Sequence, residues 1–109
     1  MTKPKINAPD WLTARPIAHR GLHSRLGGAA ENTLAAASAA IDRNYAIECD
    51  VRRSKDGKAI VFHDETLDRL THAAGPVGAF SAEALEGIPY KSSSQTVVSL
   101  SGFLGHIKG

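Results

Sequence analysis

The chain has 109 residues, with 13 Lys plus Arg against 11 Asp plus Glu, a formal net charge of +2 with five His uncounted. That length allows one domain or part of one, with a modest core, and so small a charge excludes a nucleic-acid footprint as the main feature. A lone cysteine, Cys49, excludes an internal disulfide; 42% apolar against 22% charged residues excludes a disordered chain; and no apolar run nears the ~18–20 residues that span a bilayer.

Residues 1–14 hold Pro4, Pro9 and scattered polar side chains, and read as a lead-in with little regular structure. Trp11 and Leu12 are placed to anchor its end on the core. Basic residues near Met1 have no apolar stretch behind them, so no signal peptide is read and the default location is the cytoplasm. Pro16-Ile17-Ala18-His19 reads as a first strand, running into Arg20-Gly21 and a loop with Gly27-Gly28. Glu31-Asn32-Thr33 opens the clearest helix, with Asn32 or Thr33 as its cap. Its body, Leu34 to Arg43, is alanine-rich, and Leu34, Ala37, Ser38 and Ile41 share one face by helical spacing. Asn44 suits the left-handed position after a helix end.

Tyr45 to Val51 reads as a second strand. Asp56-Gly57, between extended runs, predicts a tight hairpin joining residues 51–55 to 58–62. Phe80 to Leu85 reads as a short helix start capped by Ser81, with Phe80 and Leu85 as a hydrophobic staple. Ser99 caps a last helix carrying Leu100, Phe103, Leu104 and Ile107, weakened by Gly102 and Gly105. The strand-helix-strand order predicts an α/β fold with a parallel sheet.

Glu48 and Asp50 stand two apart on a strand, hence on one face and ~6.6 Å apart at ~3.3 Å per residue. Two acids on an otherwise apolar strand need water, a cation or a basic partner. A hard divalent cation is one reading; pairing with Arg52 or Arg53 on a solvated edge is the other. His19 ends the first strand beside Arg20 and Gly21. It titrates near neutral pH, Arg20 offers a planar fork to a phosphate, and Gly21 lets a ligand approach the backbone. A satisfied histidine beside a surface arginine is the plainer alternative. His63-Asp64 ends the third extended run, where loops carry function. His23, His72 and His106 have no such setting, and Cys49 reads as a small packed apolar residue.

Taken in order, His19-Arg20-Gly21, Glu31-Asn32-Thr33, Glu48-x-Asp50, Lys55-Asp56-Gly57, His63-Asp64 and Thr66 to Thr71 closely resemble the glycerophosphodiester phosphodiesterase family. The likeness covers roughly residues 15 to 108. It implies a (β/α)8 TIM barrel with a small insertion after the second strand, and hydrolysis of glycerophosphodiesters to an alcohol and glycerol 3-phosphate with a divalent metal, Mg²⁺ or Ca²⁺. By the same resemblance His19 and His63 are general base and acid, Glu48 and Asp50 metal ligands, Arg20 a phosphate holder, and Glu31 a supporting residue that orients Arg20 or a ligand. The partner implied is a small-molecule substrate, with no nucleic acid and no membrane span. Exported phospholipase D toxins share the paired histidines, but their disulfides and export signal are not matched.

A barrel needs ~200–250 residues, and the family's third acidic ligand, in a Glu-x-Lys context, has no counterpart after Asp50. The expectation is therefore a partial domain over 15–109, a truncated product, fragment or half of a split protein, inactive alone. The alternative is a non-catalytic remnant that binds or self-associates through open sheet edges.

Overall fold

Residues 7–24 and 28–107 are described in the computed structural model of the chain. The first six residues of the lead-in, Gly27 of the Gly27-Gly28 loop and the last two residues lie outside them.

The lead-in forms a single helical turn, α1 (Asp10–Thr13), where irregular chain is expected. Trp11 is 65% exposed and Leu12 is exposed too, so neither anchors on the core. A four-residue turn lacks the length to aim both side chains inward. Strand β1 (Ile17–His19) and strand β2 (Ala46–Glu48) pair in parallel, with Ile17 opposite Ala46 and His19 opposite Glu48. A parallel pair needs a crossover, and α2 (Leu34–Asp42) supplies it.

The start of α2 is closed from two directions. Thr33 Oγ1 accepts from the Ala36 amide at 3.1 Å, and Gln95 Oε1, from a distant loop, accepts from the Ala35 amide at 3.2 Å. Both amides are among the donors that a helix start leaves unpaired. Asn32 is not the cap: its φ is +56°, and its side chain reaches Asp50 instead. The buried face is Ala36, Ala37 and Ala40, while Ile41 is exposed. The expected face is thus rotated, because only methyl side chains fit where the helix lies close to the β1–β2 strands. After the helix Asn44 takes the left-handed conformation, φ +57°, as its sequence position predicts.

The second strand breaks where the sequence reads as continuous. The pairing with β1 ends at Glu48, and Val51 starts a different sheet. Strands β3 (Val51–Arg53), β4 (Ala59–Val61) and β5 (Val98–Ser99) form this antiparallel sheet, in the order β3-β4-β5. The hairpin between β3 and β4 turns at Asp56-Gly57: the Gly57 amide donates to the Ser54 carbonyl at 3.0 Å, the Ser54 amide to the Lys58 carbonyl at 2.9 Å, and Gly57 has φ +80°. A turn followed by a left-handed glycine is the common three-residue hairpin loop.

Residues 64–97 wrap a core of their own. Phe62, Leu67, Val77, Leu85, Tyr90 and Val97 are buried together with Ile60. Short helix α3 (Ala82–Glu86) is capped by Ser81, whose Oγ accepts from the Ala84 amide at 3.2 Å. The last helix, α4 (Leu100–His106), is capped by Ser99 and buries Phe103 against Val61 and Ala37. Leu104 points outward. This second cluster, with Ile47 and Cys49 packed on it, joins the parallel unit to the antiparallel sheet.

Candidate active site

The chain turns sharply after β1 because two residues in succession are left-handed, Arg20 at φ +61° and Gly21 at φ +76°. A non-glycine residue pays strain there, and hydrogen bonds hold the turn, the Gly21 amide facing the Ala18 carbonyl at 3.2 Å. The Arg20 amide donates to Glu48 Oε1 at 3.1 Å, the Gly21 amide lies 3.2 Å from the Glu48 carbonyl, and the Asn32 amide donates to the Arg20 carbonyl at 2.8 Å. Gly21 serves the fold rather than ligand access. A Cβ built on it would lie 2.7 Å from the Ala36 Cβ, so its absence lets α2 close on the turn. Gly21→Ala is expected to destabilise the chain by about 2 kcal/mol or more, combining left-handed strain with overpacking. Urea unfolding checks this, and a loss under about 0.5 kcal/mol would show that α2 shifts freely.

Arg20 is the hub of a charged network. Its Nη1 lies 3.2 Å from both oxygens of Glu31, and its Nε lies 3.6 Å from Asp50 Oδ2. Asp50 Oδ2 also accepts from Asn32 Nδ2 at 3.2 Å, and the Asp50 amide donates to Asn32 Oδ1 at 3.3 Å. Glu48 and Asp50 therefore converge on one arginine, one through its amide and one through its guanidinium. Neither acid pairs with Arg52 or Arg53. The Arg52 guanidinium instead donates twice to the His63 carbonyl, at 2.9 and 2.8 Å. Arg20 Nε is buried without a hydrogen bond, and Nη2 has no partner among the described residues.

His63 sits beside the short link between β2 and β3, since the preceding Phe62 amide donates to the Asp50 carbonyl at 3.0 Å. Its Nδ1 lies 2.8 Å from Asp64 Oδ1. Arg69 grips Asp64 with Nε at 2.7 Å and Nη2 at 3.0 Å, and the same Nη2 reaches Glu31 Oε1 at 2.7 Å. Glu31, Arg20, Glu48 and Asp50 thus touch directly, and His63 joins them through Asp64 and Arg69. His19, at the end of β1 opposite Glu48, makes no side-chain hydrogen bond among the described residues.

Burial works against ionisation of Glu31, but the hydrogen bonds and charges of Arg69 and Arg20 more than offset it and hold its carboxyl below the ordinary range. The Arg69 hydrogen bonds hold Asp64 at about 2, against an ordinary value of 3.8, with His63 adding to the effect. A carboxyl lowered in the folded state adds stability above its unfolded value, lost as pH falls through the folded one. Asp64 is thus expected to contribute on the order of 1 kcal/mol after solvent screening, lost as pH drops from about 4 to about 2. Asp64→Asn is expected to flatten that part of the stability–pH curve, and an unchanged curve would remove Asp64 from the account. Burial, then the charges of Glu48 and Asp50, push the Cys49 thiol up, which suits a packing residue and not a nucleophile.

This constellation lies within residues 19–104, the span over which the chain matches the Glycerophosphoryl diester phosphodiesterase family. The chain belongs to that family. It is similar to the glycerophosphodiester phosphodiesterase of Caldanaerobacter subterraneus subsp. tengcongensis, 42% identical over 71 residues, which are 64% of this chain and 28% of that protein. A glycerophosphodiester phosphodiesterase of Bacillus subtilis is 37% identical over 76 residues, 68% of this chain and 24% of the relative. The chain therefore spans about a quarter of the length of these curated relatives. Among solved structures, the glycerophosphodiester phosphodiesterase of Agrobacterium tumefaciens superposes with a TM-score of 0.76 at 37% identity, covering 87% of this chain and 42% of that one. An Oleispira antarctica phosphodiesterase, solved with its product sn-glycerol-3-phosphate, gives 0.75 at 30% identity, over 85% of this chain and 39% of the other. The α/β architecture is thus part of the TIM-barrel fold of the glycerophosphodiester phosphodiesterases, with the antiparallel sheet and its core as the insertion.

Glu48 and Asp50 offer hard oxygen donors on one side of Arg20, with Glu48 Oε2 and Asp50 Oδ1 free of hydrogen bonds among the described residues. That chemistry fits two ligands of a divalent cation. Among the described residues no group of three or more His, Cys, Asp or Glu is arranged to hold a metal. Asn32, Arg69 and Gln95 take structural parts that the residue-by-residue reading did not give them. Asn32 was legible in the Glu31-Asn32-Thr33 motif, but as a cap. Gln95 carries no local signal, because it acts on an amide 60 residues away, and Arg69 lies in the Thr66 to Thr71 stretch but reaches Glu31 38 residues away.

Proposed function

We propose that this chain carries part of an active site that hydrolyses glycerophosphodiesters to an alcohol and glycerol 3-phosphate. The observation that carries the reading is Arg20. It stands where β1 and β2 both end, with Nη2 unbonded among the described residues, Glu31 holding Nη1, and two acids beside it. The C-terminal ends of barrel strands are where such enzymes do their chemistry. Arg20 would hold the phosphate through a planar, charge-assisted contact, with Glu31 fixing the guanidinium. One of His19 and His63 would take the proton of the attacking nucleophile and the other protonate the leaving alkoxide. Glu48 and Asp50 would hold a divalent cation, Mg²⁺ or Ca²⁺, which when bound supplies charge neutralisation on the phosphate. No helix among the described residues is long and apolar enough to cross a membrane, and a cytoplasmic setting suits a chain whose lone cysteine cannot form an internal disulfide.

A chimera tests the reading: residues 15–107 replace the equivalent segment of the Agrobacterium tumefaciens protein. Incubated with glycerophosphocholine and Mg²⁺ or Ca²⁺, it is expected to release glycerol 3-phosphate. The 109-residue chain alone is expected to release little, since a loss of ~1 Å in positioning costs ~10²-fold. A folded chimera without product under either metal would overturn the reading.

A second reading rests on exposed apolar side chains. Ile17 on β1, Val51 on β3 and Leu104 on α4 are all about half exposed or more, and open strand edges favour pairing with another chain. Association would bury them, and a monomer at high concentration in sedimentation equilibrium would dispose of that reading.

A further inference from the structure

The His63 loop and the Arg20 turn belong to different parts of the chain, and one side chain spans them. Arg69, in the insertion, donates to both oxygens of Asp64 and to Glu31, which in turn holds Arg20. Asp64 is the partner of His63 Nδ1. We propose that Arg69 is a positioning residue, which clamps Asp64 so that His63 keeps its proton on Nδ1 and presents a free Nε2.

The tautomer follows from charge. Beside Arg69 the Asp64 carboxyl stays ionised, and an ionised carboxylate accepts hydrogen bonds without donating any. The proton in the His63–Asp64 contact therefore sits on Nδ1, leaving Nε2 as the lone-pair nitrogen. An unclamped aspartate next to its own histidine has rotamer freedom and can turn away to water. Arg69 removes that freedom by holding Oδ1 and Oδ2 together. A solvent-exposed ion pair is worth little by itself, and Arg69 is about half exposed. Its effect lies in direction: a planar fork fixes two carboxylates at once, and a lysine's point charge does not. The same fork keeps the His63 loop in register with Glu31 and Arg20. The inference rests on the proposed function only for the use to which Nε2 is put.

Ring-nitrogen NMR tests it on the ¹⁵N-labelled 109-residue chain at about pH 8.5, above the ordinary imidazole value of ~6.5. Couplings between ring protons and nitrogens report which nitrogen is protonated, and His63→Gln identifies the His63 signals. The parent chain is expected to show Nδ1–H. Arg69→Met is expected to shift His63 toward Nε2–H, and Arg69→Lys to fall between. An Nε2–H parent, or a folded Arg69→Met chain with His63 unchanged, would overturn the proposal. If the Met variant unfolds, the Lys variant decides in the same way; a Lys variant that also unfolds would make Arg69 a folding residue and end the proposal. In the chimera, Arg69→Met is expected to lower kcat roughly 10–100-fold, the usual scale for removing a group that orients a functional side chain, with KM little changed. A raised KM at constant kcat would make Arg69 a substrate-binding residue instead. If the tautomer moves as expected while the parent chimera hydrolyses nothing, the clamp stands and the functional reading falls.

Discussion

His19→Ala or His63→Ala in the chimera is expected to cut glycerol 3-phosphate release by roughly 10²–10⁴-fold, the scale of losing a positioned proton-transfer group. That corresponds to about 3–5.5 kcal/mol of barrier. Phosphodiester cleavage needs a proton removed from the nucleophile and one delivered to the leaving alkoxide. Each histidine stands at the end of an extended run, His19 as the last residue of β1 and His63 just beyond β4. They differ in support: His63 is backed by Asp64, while His19 has no side-chain hydrogen bond among the described residues. Because the two would act in different steps, a pH–rate profile should lose one limb in each variant. Turnover within threefold of the parent in His63→Ala would remove it from the chemistry. A normal profile in His19→Ala would do the same for His19.

Phe62→Ala is expected to cost ~3–5 kcal/mol in urea unfolding, the range for deleting a large buried aromatic side chain. Phe62 is fully buried and packs on Tyr90, with ring centroids 6.1 Å apart and planes at 36°. It joins β4 to Leu67, Val77, Leu85, Tyr90 and Val97 in the core of the insertion. Small domains are stable by only ~5–15 kcal/mol, and this loss takes a large part of that. The effect should reach the site as well. The Phe62 amide bonds to the Asp50 carbonyl, and His63 is the next residue. Phe62→Leu, which fills most of the volume, is expected to lose much less. A loss below about 1.5 kcal/mol for Phe62→Ala would show that the surrounding chain collapses into the space.

Much of this structure was legible residue by residue. Thr33, Ser81 and Ser99 mark three helix starts, because a short hydroxyl side chain at that position satisfies an amide that nothing local can reach. Asp56-Gly57 marks the hairpin, because glycine takes the left-handed conformation at little cost. The order of the histidines, acids and glycines also marked the family.

Other features are decided by tertiary contacts. The break after Glu48 is invisible in an even run of strand-forming residues. It exists because Asn32 holds the Asp50 amide and carboxylate while Phe62 takes the Asp50 carbonyl. The buried face of α2 is set by how near Gly21 lets the helix come, and alanine periodicity alone does not distinguish one side from another. Apart from Leu85 on α3, the 64–97 core escapes a pattern reading because its apolar residues are spread over short turns and bridges with no sustained helix or strand period. Arg69 is the clearest case. In the chain it lies in the Thr66 to Thr71 stretch with no role assigned, and only the fold brings Asp64, five residues before it, and Glu31, 38 residues before it, to one guanidinium. Caps and turns are local hydrogen bonds, fixed by neighbours in sequence; a charge network is set by distances through space, which exist only once the core has closed.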